Sequence, residues 1–346
     1  MAPLLAVNQP IASSDDIQTV TPLAAARPVY LLVGADNSHI VIKSEVSRST
    51  HDPTNLKLAN RAMHNVNPAF VSKVCTPNEV TVLKDFVKWE LWIAGYYSFP
   101  QPAEIVHLDN SLQNGGVWFK MEKAEGILDL GDAVQKAINQ QDKTGIRQIA
   151  SALCAKGGLE ALGKIIVADL FNGNADRFNP FNKDPFSGAT TNVGAVNART
   201  NARFAVLLNL GNVLVSIQNN KLRPIGLDAY EAQGAWRKMD QKVDDIEQAE
   251  HEEWPGRHLR DTQNEAQWRA QFAALVIGDL EAALGPRNRK VAWGRTRRLP
   301  KNATTRLISG MNAGITELKA SLVQYANKIG KARPVGLTDR LQVLGW

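Results

Sequence analysis

The chain has 346 residues but only two cysteines, Cys75 and Cys154, far apart in the sequence. That excludes a disulfide scaffold and a cysteine metal centre, and it suits a reducing compartment with two buried thiols. Long apolar runs are also missing. The longest, Phe204 to Ile217, is interrupted by Asn209, Gly211 and Asn212, so no membrane span is expected. No secretory signal is visible, because Met1 to Ala26 lacks a basic start and an unbroken apolar core. The six histidines (His39, His51, His64, His107, His251, His258) form no metal spacing. Neither Gly-x-Ser-x-Gly nor His-Glu-x-x-His occurs, which removes two hydrolase signatures. The net charge of +6, with a pI near 9.2, is mildly basic and does not point to nucleic acid by itself.

What is present suggests two lobes. Residues 1–27 are rich in Ala, Pro, Ser, Thr and Asp and read as a disordered leader. A leader carried by a bacterial secretion system into a host cell has the same look, so the expected location is cytoplasmic or the interior of such a host. Residues 28–123 read as a strand-rich lobe. Pro28 to Gly34 and His39 to Lys43 form a hairpin about the turn Ala35-Asp36-Asn37-Ser38. Leu56 to Val66 reads as a helix, and Val71 to Val87 stays ambiguous. Ile105 to Leu108 and Val117 to Met121 read as strands. Met121 to Ile127 reads as a linker. In residues 124–346, Leu128 to Asn139, Gly145 to Cys154, Leu159 to Phe171, Trp268 to Leu284 and Asn302 to Ile329 carry helical periodicity. Asp184 to Asn201 reads as a long inserted loop. Phe204 to Leu208, Val213 to Ile217 and Leu222 to Leu227 read as short strands.

The chemistry-bearing stretch is Ile165 to Asn179. An apolar helix ends in Gly173-Asn174-Ala175-Asp176-Arg177-Phe178. Further on comes Asn212-Val213-Leu214-Val215, a turn at Asn219-Asn220, and Pro224-Ile225-Gly226-Leu227-Asp228. Apolar chain that ends on Asp, Asn and Asp suits oxygen ligation of Mg²⁺ beside a triphosphate.

The order strand Lys43, linker, helix into Asp176-Arg177, Asn212 before a strand, then Asp228 after the next strand resembles the protein-kinase-like superfamily. It is nearest the branch of phosphoinositide kinases, HipA-type kinases and the actin-fragmin kinase, and covers roughly residues 29 to 285. The resemblance implies an α+β, bilobal protein-kinase-like fold with a strand-rich N-lobe and a mainly helical C-lobe. It also implies an ATP- and Mg²⁺-dependent enzyme acting on a protein Ser or Thr. Lys43 would brace the α/β-phosphates, and Asp176 would accept the substrate hydroxyl proton. Asn212 and Asp228 would hold the metal. Glu122 and Lys123 would form the linker whose backbone meets adenine. Arg177 would be structural or face phosphate, with support favoured.

The departures are specific. No Gly-x-Gly-x-x-Gly loop is present, so the 34–38 turn would reach phosphate through backbone N–H groups or the Ser38 hydroxyl. Phe178 stands where the family has His. Glu79, in Thr76-Pro77-Asn78-Glu79, either caps a helix or pairs with Lys43. The chain between Asp176 and Asn212 is long for the family, leaving Asn179 and Asn182 as rivals for the metal role. The basic run Arg287 to Arg306 reads as a solvated face, and the acidic run Asp240 to Glu253 as an exposed segment that could meet a basic substrate. Other nucleotide chemistry on the same fold (AMP transfer, glutamylation) and a pseudokinase binding module are the alternatives. In the enzyme readings the chain could serve as a secreted bacterial effector.

Overall fold

The structure is a computed structural model that describes residues 3–23, 29–45, 53–66, 72–93, 117–174, 177–178, 210–227, 254–285, 299–332 and 335–346. The protein is α+β. Its chain divides into a unit of Met1–His64 with Phe70–Lys123 and a unit of Asn65–Ala69 with Ala124–Trp346.

The first unit is built on an antiparallel sheet of β1 (Ile17–Pro22), β2 (Val29–Gly34), β3 (His39–Glu45), β4 (Ser72–Val74) and β5 (Val117–Met121), in the order β1-β2-β3-β5-β4. β2 and β3 form the expected hairpin, and Asn37 takes the left-handed turn position at φ 63°. Two helices accompany the sheet, α1 (Pro53–Val66) and α2 (Pro77–Ile93). The ambiguous stretch from Val71 thus resolves into a short strand followed by a helix. The boundary is set by Thr76, whose Oγ1 accepts the Glu79 N–H while the Glu79 carboxylate accepts the Thr76 N–H at 2.7 Å.

Strand alternation sorts the sheet into two faces. Tyr30, Leu32, Ile40, Ile42 and Trp118 pack with Leu83 and Val87 of α2 in one buried cluster. That cluster also contains Leu5, Val7, Ile11 and Ile17. The segment expected as a disordered leader is therefore ordered over residues 3–23. It holds a 3₁₀ turn at Ser14–Asp16, with Ser13 and Asp16 forming a capping box, and then β1. The correction has a plain cause. Four apolar side chains, irregularly spaced among Ala, Pro and Ser, find their partners only in distant parts of the chain.

The second unit carries a small antiparallel sheet, order β6-β7-β8, of β6 (Glu125–Asp129), β7 (Leu214–Gln218) and β8 (Lys221–Ile225). Asn219 and Asn220 close the β7–β8 hairpin with φ of 47° and 59°, the left-handed pair that a tight two-residue turn demands. β6 occupies part of the stretch read as a linker. Its exposed residues Glu125, Gly126 and Ile127 give no alternating signal.

The expected helices appear as α3 (Leu130–Gln140), α4 (Thr144–Cys154), α5 (Gly158–Asn172), α6 (Gln263–Leu284) and α7 (Ala303–Ile329), with α8 (Val335–Leu344) in addition. Asp129 caps α3 and Thr262 caps α6. The strands expected at Ile105 to Leu108 and Phe204 to Leu208, the loop from Asp184, and the acidic run from Asp240 lie outside the described residues, as does most of the basic run.

α5 is apolar nearly all round and is the buried centre of this unit, as such a helix must be. It crosses α7 at glycines. A Cβ on Gly163 would stand 2.8 Å from Met311 N, and one on Gly310 2.6 Å from the Glu160 Cα. Ion pairs flank the crossing. Arg306 grips Glu160 with two bonds of 2.8 Å, and Lys164 meets Glu317 at 2.5 Å. The Arg306 end of the basic run is thus a helix tie and not a solvated face.

Candidate functional site

The site is assembled at the C-terminal end of α5. Gly173 takes φ 69° and ends the helix. Its N–H donates to the Leu170 carbonyl at 3.2 Å, and the Asn174 N–H donates to the Asp169 carbonyl at 2.9 Å. This double closure is a Schellman end, and it fixes the direction in which the chain leaves. Phe171, the last residue but one of the helix, is packed by Trp254 edge-on and by Trp346 in parallel, each at 6.4 Å between ring centres. The Trp254 Nε1–H also donates to the Phe171 carbonyl at 3.3 Å.

A carboxylate buried in an apolar helix needs partners, and Asp169 has two. Its carboxylate accepts from Asn174 Nδ2 at 3.2 Å and from the Arg177 guanidinium at 3.0 and 3.1 Å. Both members of this ion pair are almost fully buried, at 1% and 2% side-chain exposure. Two buried opposite charges are tolerated because each satisfies the other and the remaining donors find acceptors. Arg177 Nε donates to the Asn212 carbonyl at 3.0 Å, and its second terminal nitrogen donates to the Leu227 carbonyl. One guanidinium therefore joins three places: the last turn of α5, the residue group before β7, and the residue that follows β8 by two positions. Arg177 is the support residue of this region. Phe178 is buried in the core.

The other expected residues fall as follows. Asn212 ends a 3₁₀ turn at Leu210–Asn212, one residue before β7, and is half-buried. Asp176 and Asp228 lie outside the described residues, each one position from a residue of the Arg177 network. Asn179 and Asn182 lie outside as well. Asp169, the other carboxylate near this loop, is consumed by Arg177.

Lys43 belongs to the first unit. It is opposite Phe119 in β5 and Val29 in β2, on the face away from Ile40 and Ile42, and is buried. Glu79 does not pair with it. The Glu79 carboxylate sits on the α2 face and is held by Lys120 Nζ and by the Ile11 N–H at 3.0 Å. Burial alone would raise the Glu79 pKa, but the bonds from Lys120, Thr76 and Ile11 together hold it below its ordinary value. Lys120 also donates to the Gln9 carbonyl. This buried pair was not anticipated, although a lone lysine in the apolar strand Val117-Trp118-Phe119-Lys120-Met121 is its only trace in the sequence. Burial, with the Glu79 carboxylate beside it, pushes the Cys75 thiol up to about 12 and leaves it unreactive.

Ser38 is committed to its own turn. Its hydroxyl accepts from the Leu5 N–H at 2.8 Å and donates to Asp36, whose carboxylate also takes the Ser38 and Leu4 N–H groups. The hydrogen bond to Ser38 chiefly holds the Asp36 pKa low, so the turn presents negative charge. Glu122 and Lys123 are exposed between β5 and β6. Among the described residues, no three His, Cys, Asp or Glu side chains converge on a metal position, and no helix is long and apolar enough to cross a membrane. No family model, no characterised protein and no solved structure matches the chain.

Proposed function

We propose that the protein is an ATP- and Mg²⁺-dependent phosphotransferase of bilobal, protein-kinase-like architecture that acts on a Ser or Thr hydroxyl of another protein. The observation that carries this reading is the Arg177 network. It ties the loop after α5 to the Asn212 and Leu227 carbonyls, so the segments bearing Asp176, Asn212 and Asp228 start from one fixed point. Positioning is most of what phosphoryl transfer asks of a protein. In this reading Asn212 and Asp228 hold Mg²⁺, and Asp176 orients the acceptor hydroxyl. Lys43 neutralises phosphate charge, and the backbone at Glu122 and Lys123 meets adenine. Ser38 is left out, because its hydroxyl is already used on both sides.

Calorimetry with ATP, with and without Mg²⁺, tests the binding step. Magnesium-dependent binding that disappears in Asp228→Ala supports the reading, and no binding at millimolar ATP overturns it. A second reading, transfer of AMP with the nucleotide in another pose, is favoured by one feature: the β2–β3 turn offers the Asp36 carboxylate where a phosphate-cradling loop would offer free N–H groups. Labelled ATP separates the two. Label at the γ position passes to protein in the first reading, and label at the α position in the second.

A further inference from the structure

The end of α4 and the start of β8 border a cavity of about 390 Å³. Ala152, Ala155 and Leu222 give it aliphatic surface, while Lys156, Lys221 and Arg223 bring three positive charges. Among the described residues, none of these three cations has an ion-pair or side-chain hydrogen-bond partner. The ordinary structural duties nearby are already filled. Cations are drawn to the carbonyls at a helix C-terminus, but Arg306 already donates to the Cys154 and Ala155 carbonyls at 3.4 and 2.8 Å. Across the hairpin, Lys221 stands opposite Gln218 and Arg223 opposite Ser216, so neither has a cross-strand carboxylate.

We propose that this groove docks an acidic peptide segment of a partner protein. One aliphatic side chain of the segment enters the cavity, and flanking carboxylates meet Lys156, Lys221 and Arg223. The Arg223 fork suits a carboxylate, and the lysines act as point charges. The net charge of +6 favours approach of such a partner. A nucleic acid strand fits less well, because no aromatic side chain lines the cavity to stack a base. The docking site does not depend on the phosphotransferase reading. If that reading holds, the six residue-to-residue steps from Lys221 to Leu227 place the docked segment roughly 20 Å along the chain from the Arg177 network.

Fluorescence anisotropy on the full chain tests this. The probe is a labelled peptide with one leucine between two pairs of Asp and Glu. Saturable binding is expected. It should weaken at least about tenfold in the triple variant Lys156→Glu, Lys221→Glu, Arg223→Glu, and fall as salt rises from about 50 to about 200 mM. An unchanged melting curve shows that the triple variant is folded, and if it is not, the exposed single variant Lys156→Glu decides. Absence of saturable binding, or equal binding by the folded variants, overturns the proposal. So does tighter binding of a single-stranded RNA oligomer than of the peptide. Binding seen only after residues 240–253 are replaced by a Gly-Ser linker also overturns it, in favour of the chain's own acidic run.

Discussion

Asp169 and Asp176 stand seven positions apart and call for opposite outcomes on substitution. Asp169 neutralises a buried guanidinium, so Asp169→Asn leaves Arg177 as an uncompensated buried charge. We expect a loss of about 3–5 kcal/mol in unfolding free energy, measured by urea titration. If the proposed phosphotransferase reading holds, Asp176→Asn should leave that titration unchanged while cutting turnover by roughly 10² or more. The reverse pattern would make Asp169 the reacting group. The support role of Arg177 was legible from its place beside Asp176. Its acceptors were not, because two of the three are main-chain carbonyls, which every residue possesses and no sequence pattern marks.

At the scale of elements, the crossing of α5 and α7 depends on the absence of side chains. Gly310→Ala places a methyl group against the backbone of Glu160, which has no free rotamer to yield. The expected cost is about 1–3 kcal/mol, the range of overpacked cores. Gly278, inside α6, is the control. Its added Cβ meets nothing within 4 Å, so Gly278→Ala should stabilise by about 0.5–1 kcal/mol through helix propensity alone. Thermal melts of the two variants should therefore move in opposite directions. The same elements show what a sequence discloses. α5, α6, α7 and the two hairpins were legible because their periodicity or turn residues are local. β6 was not, since an edge strand with Gly126 at φ 56° and exposed Ile127 lacks the alternation by which strands are recognised. The ordered stretch 3–16 was missed for a different reason. Its composition is that of a solvated leader, and only tertiary partners override it.

For the molecule as a whole, the polar partners of Gln9 and Ile11 are Lys120 and Glu79. Lys120→Met strands a buried carboxylate and releases the Gln9 carbonyl, so amide exchange at Ile11 and its neighbours should rise steeply while the exchange of α5 stays unchanged. Acid should act in the same direction. The folded Glu79 pKa lies below its unfolded value, so the unfolded chain binds the extra proton. The contribution is complete above the ordinary carboxylate range and fades as pH falls through the depressed value. Exchange at Ile11 that is indifferent to both changes would remove the clamp from the account. The clamp also imposes an order of events during synthesis. The lysine that fastens Gln9 lies 111 positions downstream, so it leaves the ribosome well after Gln9 does. The first unit therefore cannot complete this clamp on its nascent chain until β5 has emerged, and through that interval the cluster of Leu5, Val7 and Ile11 also lacks Trp118. A chaperone that recognises short apolar segments has its natural window there.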